Sequence, residues 1–164
     1  MAESKAVPIA ARTILSSPVH LLAFGFGSGL APKAPGTFGT LAAVPLYLLL
    51  ALLPLWAYGL VVVLAAIIGV WICGESSRRL GVHDHGGIVW DEFVGLWITL
   101  FAAPHGWLWL VIGFALFRLF DIWKPYPIRN ADRQVNGGFG IMLDDILAGL
   151  YALASLQLLA FWLV

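Results

Sequence analysis

The stretch FVGLWITLFAAPHGWLWLVIGFALF, Phe93–Phe117, runs for 25 residues without Asp, Glu, Lys or Arg and is broken in its middle by Pro104-His105-Gly106. It has two readings. As one helix it would cross a bilayer once, since about 20 apolar residues suffice. Folded at Pro104-His105-Gly106 it becomes a hairpin, with helices extended into the neighbouring charged turns over Ile88–Ala103 and Trp107–Trp123. At 1.5 Å per residue each is roughly 24–26 Å long, slightly short for a crossing but usable. The choice decides the fold, because it sets the side on which every later residue lies.

The charges decide between the two readings. All eighteen Asp, Glu, Lys and Arg fall in three blocks, Glu3–Lys33, Glu75–Glu92 and Arg118–Asp145; Ala34–Gly74 and Ile146–Val164 carry none. The chain is 61% hydrophobic and 11% charged, with a mean hydropathy of +0.92. A soluble domain averages about 25% charge, and this chain in water would expose large apolar patches. It reads as an integral membrane protein. Pro54 splits Ala34–Gly74 into spans near Leu41–Leu53 and Trp56–Cys73, and Ile146–Val164 gives the last, starting near Ile141. Lys and Arg stay on the cytoplasmic side. The hairpin puts all nine on one side over five spans, whereas a single crossing splits them five against four.

The expected fold is therefore all-α: a polytopic membrane helical bundle of about five spans, with every charged loop on the cytoplasmic face and Val164 outside. Trp56, Trp107, Trp109 and Trp162 would gather at the outer interface, where indoles are favoured. Val19–Leu30, short and interrupted by glycines, reads as an interfacial or re-entrant segment. The length suggests one domain. No signal peptide is expected, since no basic region leads directly into an apolar core. Zero net charge gives nucleic acid no support as a partner. The one cysteine, Cys73, excludes an internal disulfide and reads as a buried, inert thiol.

Chemistry must then come from the blocks. Asp91 and Glu92 stand at the mouth of an apolar helix, where they serve the helix dipole or face a polar cavity. Asp144 and Asp145 open the last span after Gly137-Gly138-Phe139-Gly140, a run able to close backbone N–H groups on an anion or to act as a flexible loop. Arg118, Asp121 and Lys124, spaced by three, share a helix face, and Arg129 and Arg133 follow. They form either a solvated ion-pair ladder or a seat for a phosphate-bearing ligand. Clustered carboxylates beside cations suit metal-assisted phosphoryl chemistry, and oxygen ligands suit Mg²⁺. Zinc is disfavoured at His83-Asp84-His85, because i and i+2 do not align on a helix and no cysteine partners them. Those residues read as a polar loop near the site, with an acid/base role for the two histidines left open. Thr37 or Thr40 caps the first span or cradles phosphate. His20 and His105 receive no role.

Several segments resemble the phosphatidylglycerophosphatase A family. They are Gly27-Ser28-Gly29-Leu30-Ala31-Pro32, Ala34-Pro35-Gly36-Thr37-Phe38-Gly39-Thr40-Leu41, Val82-His83-Asp84-His85-Gly86 and Ile88-Val89-Trp90-Asp91-Glu92-Phe93-Val94-Gly95. Phe117-Arg118-x-x-Asp121-x-Trp123-Lys124-Pro125-x-Pro127-Ile128-Arg129 and Gly137-Gly138-x-Gly140-Ile141-Met142-x-Asp144-Asp145-Ile146-x-Ala148-Gly149 match as well. The resemblance covers about residues 18–150, so residues 1–17 stand as a variable segment before a membrane-embedded domain over 18–164. It implies a Mg²⁺-dependent lipid phosphatase of the bacterial inner membrane that converts phosphatidylglycerophosphate to phosphatidylglycerol at the cytoplasmic face. On that footing Asp91, Glu92, Asp144 and Asp145 are the expected Mg²⁺ ligands. Arg118, Lys124 and Arg129 would hold the phosphate, with Asp121 as base, nucleophile or further ligand. Thr37, Thr40, His83, Gly137 and Gly138 would line the substrate. Rival readings lack their signatures: no D-G-x-x-A-R of CDP-alcohol phosphatidyltransferases, no P-S-G-H of histidine lipid phosphatases, no D-x-D-x-T of aspartyl-phosphate enzymes. A transporter would place charge near the span centres, which are uncharged here.

Overall fold

The computed structural model describes residues 9–164. Among them the regular structure is helical: α1 (Ala11–Ser16), α2 (Pro18–Ala23), a 3₁₀ turn (Ser28–Leu30), α3 (Pro35–Leu50), α4 (Leu55–Leu80), α5 (Trp90–Thr99), α6 (Trp107–Trp123), α7 (Ile128–Gln134) and α8 (Gly137–Leu163). Local chemistry sets the ends. Pro35 and Pro18 sit in the first turns of α3 and α2, where a missing N–H costs nothing. Gly81, left-handed, closes α4, its N–H bonding Arg78 O while Val82 N–H reaches back to Ser77 O. Arg78 and Arg79 in that last turn both grip Glu75.

Phe93–Phe117 is a hairpin. α5 ends at Thr99, and Gly106, at a positive φ, starts α6 at Trp107. α6 has the expected bounds, but α5 is shorter than Ile88–Ala103. After Thr99 the chain passes into turns, with Phe101 N–H on Ile98 O, Ala103 N–H on Leu100 O and Ala102 left-handed. Ten residues make a helix about 15 Å long. α5 is also the innermost element, in contact with α3, α4, α6 and α8, and Asp91 through Trp97 are all buried. Three hydrogen bonds fix it there: Trp97 Nε1 to Ala43 O (3.2 Å), Trp90 Nε1 to Ala65 O (3.0 Å) and Tyr58 OH to Trp97 O (2.6 Å).

α4 and α8 are long and apolar enough to cross a membrane, while α3 is apolar but shorter. Only 28% of the apolar window of α4, and the same share of α8, is buried. Leu60, Val63, Ile67 and Trp71 on α4, Leu119 and Ile122 on α6, and Leu158, Phe161 and Trp162 on α8 all face outward. Asp91, Glu92, Asp144 and Asp145 lie inside. Buried acids together with so many exposed large apolar side chains are uncommon in a water-soluble domain.

The helices alternate in direction. At one end the α3–α4 and α5–α6 turns meet around a cavity of about 270 Å³ lined by Tyr47, Leu53, Tyr58, Leu100, Ala103 and His105. Gln157, late in α8, donates to the carbonyls of Phe101 and Ala102 at this same end. Trp56, Trp107 and Trp162 are exposed, but Trp109, expected beside them, is buried against the bundle. The carboxylates gather at the other end. The Val19–Leu30 segment folds as α2 and the 3₁₀ turn, with His20 Nδ1 hydrogen-bonded to Ser76 Oγ of α4 at 2.8 Å. Cys73 is buried with its thiol on Met142 Sδ, as expected of an inert thiol. Of segment 1–17, residues 1–8 lie outside the described residues.

Candidate functional site

The site forms where α5 begins, α6 ends and α8 passes between them. Gly149 allows the approach: a Cβ there would lie 2.7 Å from Gly95 O of α5. The crossing brings Asp91 and Glu92 of α5 against Asp144 and Asp145 of α8. Asp144 and Asp145 do not open their helix, as the sequence suggests. α8 starts at Gly137, so they sit two turns inside it, beyond the reach of the dipole, which fades after the first turn.

The carboxylates fall into two overlapping groups. Asp91, Asp144 and Asp145 each offer an oxygen within 4.8 Å of the others, and so do Glu92, Asp121 and Asp145. Asp145 belongs to both. Its Oδ2 is buried and has no hydrogen-bond partner among the described residues. An unsatisfied buried carboxylate oxygen is costly, and here it adjoins four other acids. A cation coordinated by oxygen removes that cost, so the donor set fits Mg²⁺.

Two cations enter the cluster. Arg118 Nη1 donates to Glu92 Oε2 at 2.8 Å and also to Asp121 Oδ2, the i and i+3 geometry that the sequence spacing anticipates. Lys124, in a left-handed conformation that ends α6, sends Nζ to Asp144 Oδ2 at 2.6 Å and lies 3.7 Å from Asp132 Oδ1. Burial opposes the charge on Lys124, but Asp144, backed by Asp145 and Asp121, holds the ammonium protonated well above its ordinary range. The two cations Arg118 and Lys124 thus stand among five carboxylates, Asp91, Glu92, Asp121, Asp144 and Asp145.

Thr40 and Gly36 complete the wall. The Thr40 hydroxyl is shared between Gly36 O (2.8 Å) and Glu92 Oε2 (3.1 Å). Neither Thr37 nor Thr40 caps α3, whose N-cap is Ala34; Thr40 instead orients Glu92, and Thr37 is half-buried one turn earlier. A Cβ on Gly36 would come 2.7 Å from Glu92 Oε1 and 3.2 Å from Arg118 Nη1, so the glycine lets backbone lie against the ion pair.

The remaining expected residues lie further out. Gly137 N–H reaches His83 Nε2 at 3.4 Å, which brings these two together. Gly138 has a packing reason of its own: a Cβ would lie 1.9 Å from Val70 O of α4. Arg129, on α7, is exposed and hydrogen-bonds Trp123 O rather than a cluster carboxylate. Two acids were missed by the sequence reading. Asp132 lies beside Lys124. Asp84, left-handed in the His83–His85 loop, keeps solvent contact while its carboxyl is crowded by protein. That crowding, and then the Asp132 charge, raise its pKa above the usual carboxylate range. The signal available in sequence was Asp84's place between two histidines of a quoted motif.

The phosphatidylglycerophosphatase A family model matches residues 21–160. The chain is 57% identical over 139 residues to a phosphatidylglycerophosphatase A of Escherichia coli K12, covering 84% of this chain and 81% of the relative. It is 48% identical over 152 residues to a phosphatidylglycerophosphatase A of Haemophilus influenzae, covering 92% and 93%. A Bacteroides thetaiotaomicron protein, named as a candidate phosphatidylinositol-3-phosphatase, is 44% identical over 140 residues, covering 80% and 87%. No solved structure matches the chain.

Proposed function

The chain belongs to the phosphatidylglycerophosphatase A family, and from that premise we propose that it hydrolyses the terminal phosphate monoester of phosphatidylglycerophosphate, with Mg²⁺, at the cytoplasmic face of the bacterial inner membrane. The observation that carries the reading is the buried Oδ2 of Asp145, without a hydrogen-bond partner among the described residues, at the junction of two carboxylate groups. Asp91, Asp144 and Asp145 would hold one ion, and Glu92, Asp121 and Asp145 would hold another. Magnesium bound there supplies Lewis-acid polarisation of a phosphate oxygen and a more acidic water.

The chain's own groups do the rest. Arg118 fixes Glu92 and Asp121 relative to each other, and Thr40 fixes Glu92 from behind. Lys124 keeps its proton and offers a fixed positive charge to the phosphate. In the reaction a water oxygen joins phosphorus, the ester bond to the glyceryl oxygen breaks and that oxygen takes a proton. Phosphatidylglycerol and inorganic phosphate leave.

Five crossings remain the proposed topology. α3, α4, α6 and α8 meet lipid, and α5 with its following turns makes a short leg enclosed by them. A short leg is tolerable there, because irregular backbone at membrane depth is accepted when buried in protein. The substrate assignment is tested by phosphate release from phosphatidylglycerophosphate and phosphatidate, side by side, on purified protein with Mg²⁺. A higher kcat/KM on the former is expected, and comparable values on both would remove the assignment.

A further inference from the structure

Where α6 gives way to α7 there is a second concavity, of about 340 Å³, lined by Trp123, Lys124, Pro125, Tyr126, Arg129 and Asn130. It adjoins the carboxylate cluster through one side chain. Lys124 lines this cavity, and its Nζ lies 2.6 Å from Asp144 Oδ2. Its walls are held in place: Tyr151 OH of α8 donates to Tyr126 O at 2.8 Å, Ile128 N–H donates to Pro125 O, and the Ile128 side chain is fully buried.

Arg129 brings the charge. Its one side-chain hydrogen bond goes to a neutral acceptor, Trp123 O at 3.3 Å, and no carboxylate among the described residues lies within ion-pair distance. Arg118 and Lys124, by contrast, are already committed to acids. The guanidinium therefore keeps most of its N–H donors for an outside acceptor, and planar forks of this kind match phosphate oxygens. Trp123 and Tyr126, 58% and 79% exposed, flank it. Exposed aromatic rings where an apolar helix meets polar sequence mark head-group depth, the level of a phospholipid's phosphodiester.

Resting on the proposed function, we infer that this cavity is a second phosphate subsite, which takes the phosphodiester of a lipid whose monoester occupies the carboxylate cluster. The two phosphates of phosphatidylglycerophosphate are joined by a three-carbon glycerol, and Lys124 bridges the corresponding two sites in the protein. Phosphatidate has a single phosphate. With that group at the cluster, the Arg129 cavity gains nothing from it. Arg129 is then the residue that favours a two-phosphate lipid over a one-phosphate lipid.

The test compares the full-length protein with Arg129→Gln in the same detergent. Phosphate release is measured on phosphatidylglycerophosphate and on phosphatidate, and equilibrium binding is measured with radiolabelled phosphatidylglycerol, which keeps the phosphodiester and lacks the monoester. The ratio of kcat/KM for the two substrates is expected to fall about tenfold in the variant, the effect of one charge-assisted hydrogen bond. A ratio equal to that of the unsubstituted protein, whether both rates fall together or neither does, overturns the subsite. If the unsubstituted protein releases phosphate from neither lipid, the proposed function fails by itself and binding decides. Weakening of phosphatidylglycerol binding by about tenfold upholds the subsite, and equal affinities overturn it.

Discussion

At Asp145 a buried carboxylate oxygen lacks a partner among the described residues while Asp91, Glu92, Asp121 and Asp144 stand around it. A residue that only supported the fold would not be left that way, because an unpaired buried charge costs stability. The two roles predict opposite signs for Asp145→Asn. As a metal-holding group, its loss should cut phosphate release at least about a hundredfold, as removal of one preorganised electrostatic group does. The same variant should unfold at a higher temperature than the parent in metal-free buffer, since like-charge repulsion is relieved. A lower melting temperature together with full activity would refute the assignment. The acids themselves were legible as adjacent pairs. Their partners were not: Thr40 and Glu92 are 52 positions apart, and Arg118 and Glu92 are 26 apart. Such pairings are made by helix packing and leave no local spacing to read. The same holds for Asp132 and Asp84, which become part of the site only when α7 and the 81–87 loop fold over Lys124.

Among the elements, α5 and α8 decide whether the site exists. Their crossing depends on Gly149 against Gly95 O, with Ile98 Cβ 3.2 Å from a Cβ built on Gly149. Gly149→Val forces the helices apart, and overpacking of this kind costs about 1–3 kcal/mol. Thermal unfolding in detergent should show a lowered midpoint, with phosphate release reduced because Asp145 recedes from Asp91 and Glu92. An unchanged midpoint and rate would mean that the crossing is not tight. The sequence located the breaks well: Pro54, Pro104-His105-Gly106 and Pro125 each fall between helices. It was weaker on extent. α8 takes in Gly137 to Gly140, which read as a loop, because Gly138 gains from packing closely on Val70 what glycine loses in helix propensity. α5 stops at Thr99, whose hydroxyl bonds back to Gly95 O at 2.9 Å, a contact that competes with regular helix.

For the whole molecule, the buried acids Asp91, Glu92, Asp144 and Asp145 and the exposed apolar side chains of α4, α6 and α8 are the pattern expected of the proposed bilayer setting. The charge blocks anticipated the arrangement, with the α3–α4 and α5–α6 turns at one end and the carboxylates at the other. Sidedness is tested by introducing His105→Cys and Asn130→Cys, separately, in cells. The native Cys73 is buried and should stay silent. Position 105 should react with an impermeant thiol reagent from outside and position 130 only after permeabilisation. Labelling of both from the same side would exclude five crossings. The central claim, however, concerns chemistry at the carboxylate cluster. Its most direct test is phosphate release from phosphatidylglycerophosphate by purified protein stripped with EDTA and then titrated with Mg²⁺. The account predicts no release in EDTA and saturable recovery as Mg²⁺ returns, and undiminished release in EDTA would contradict it.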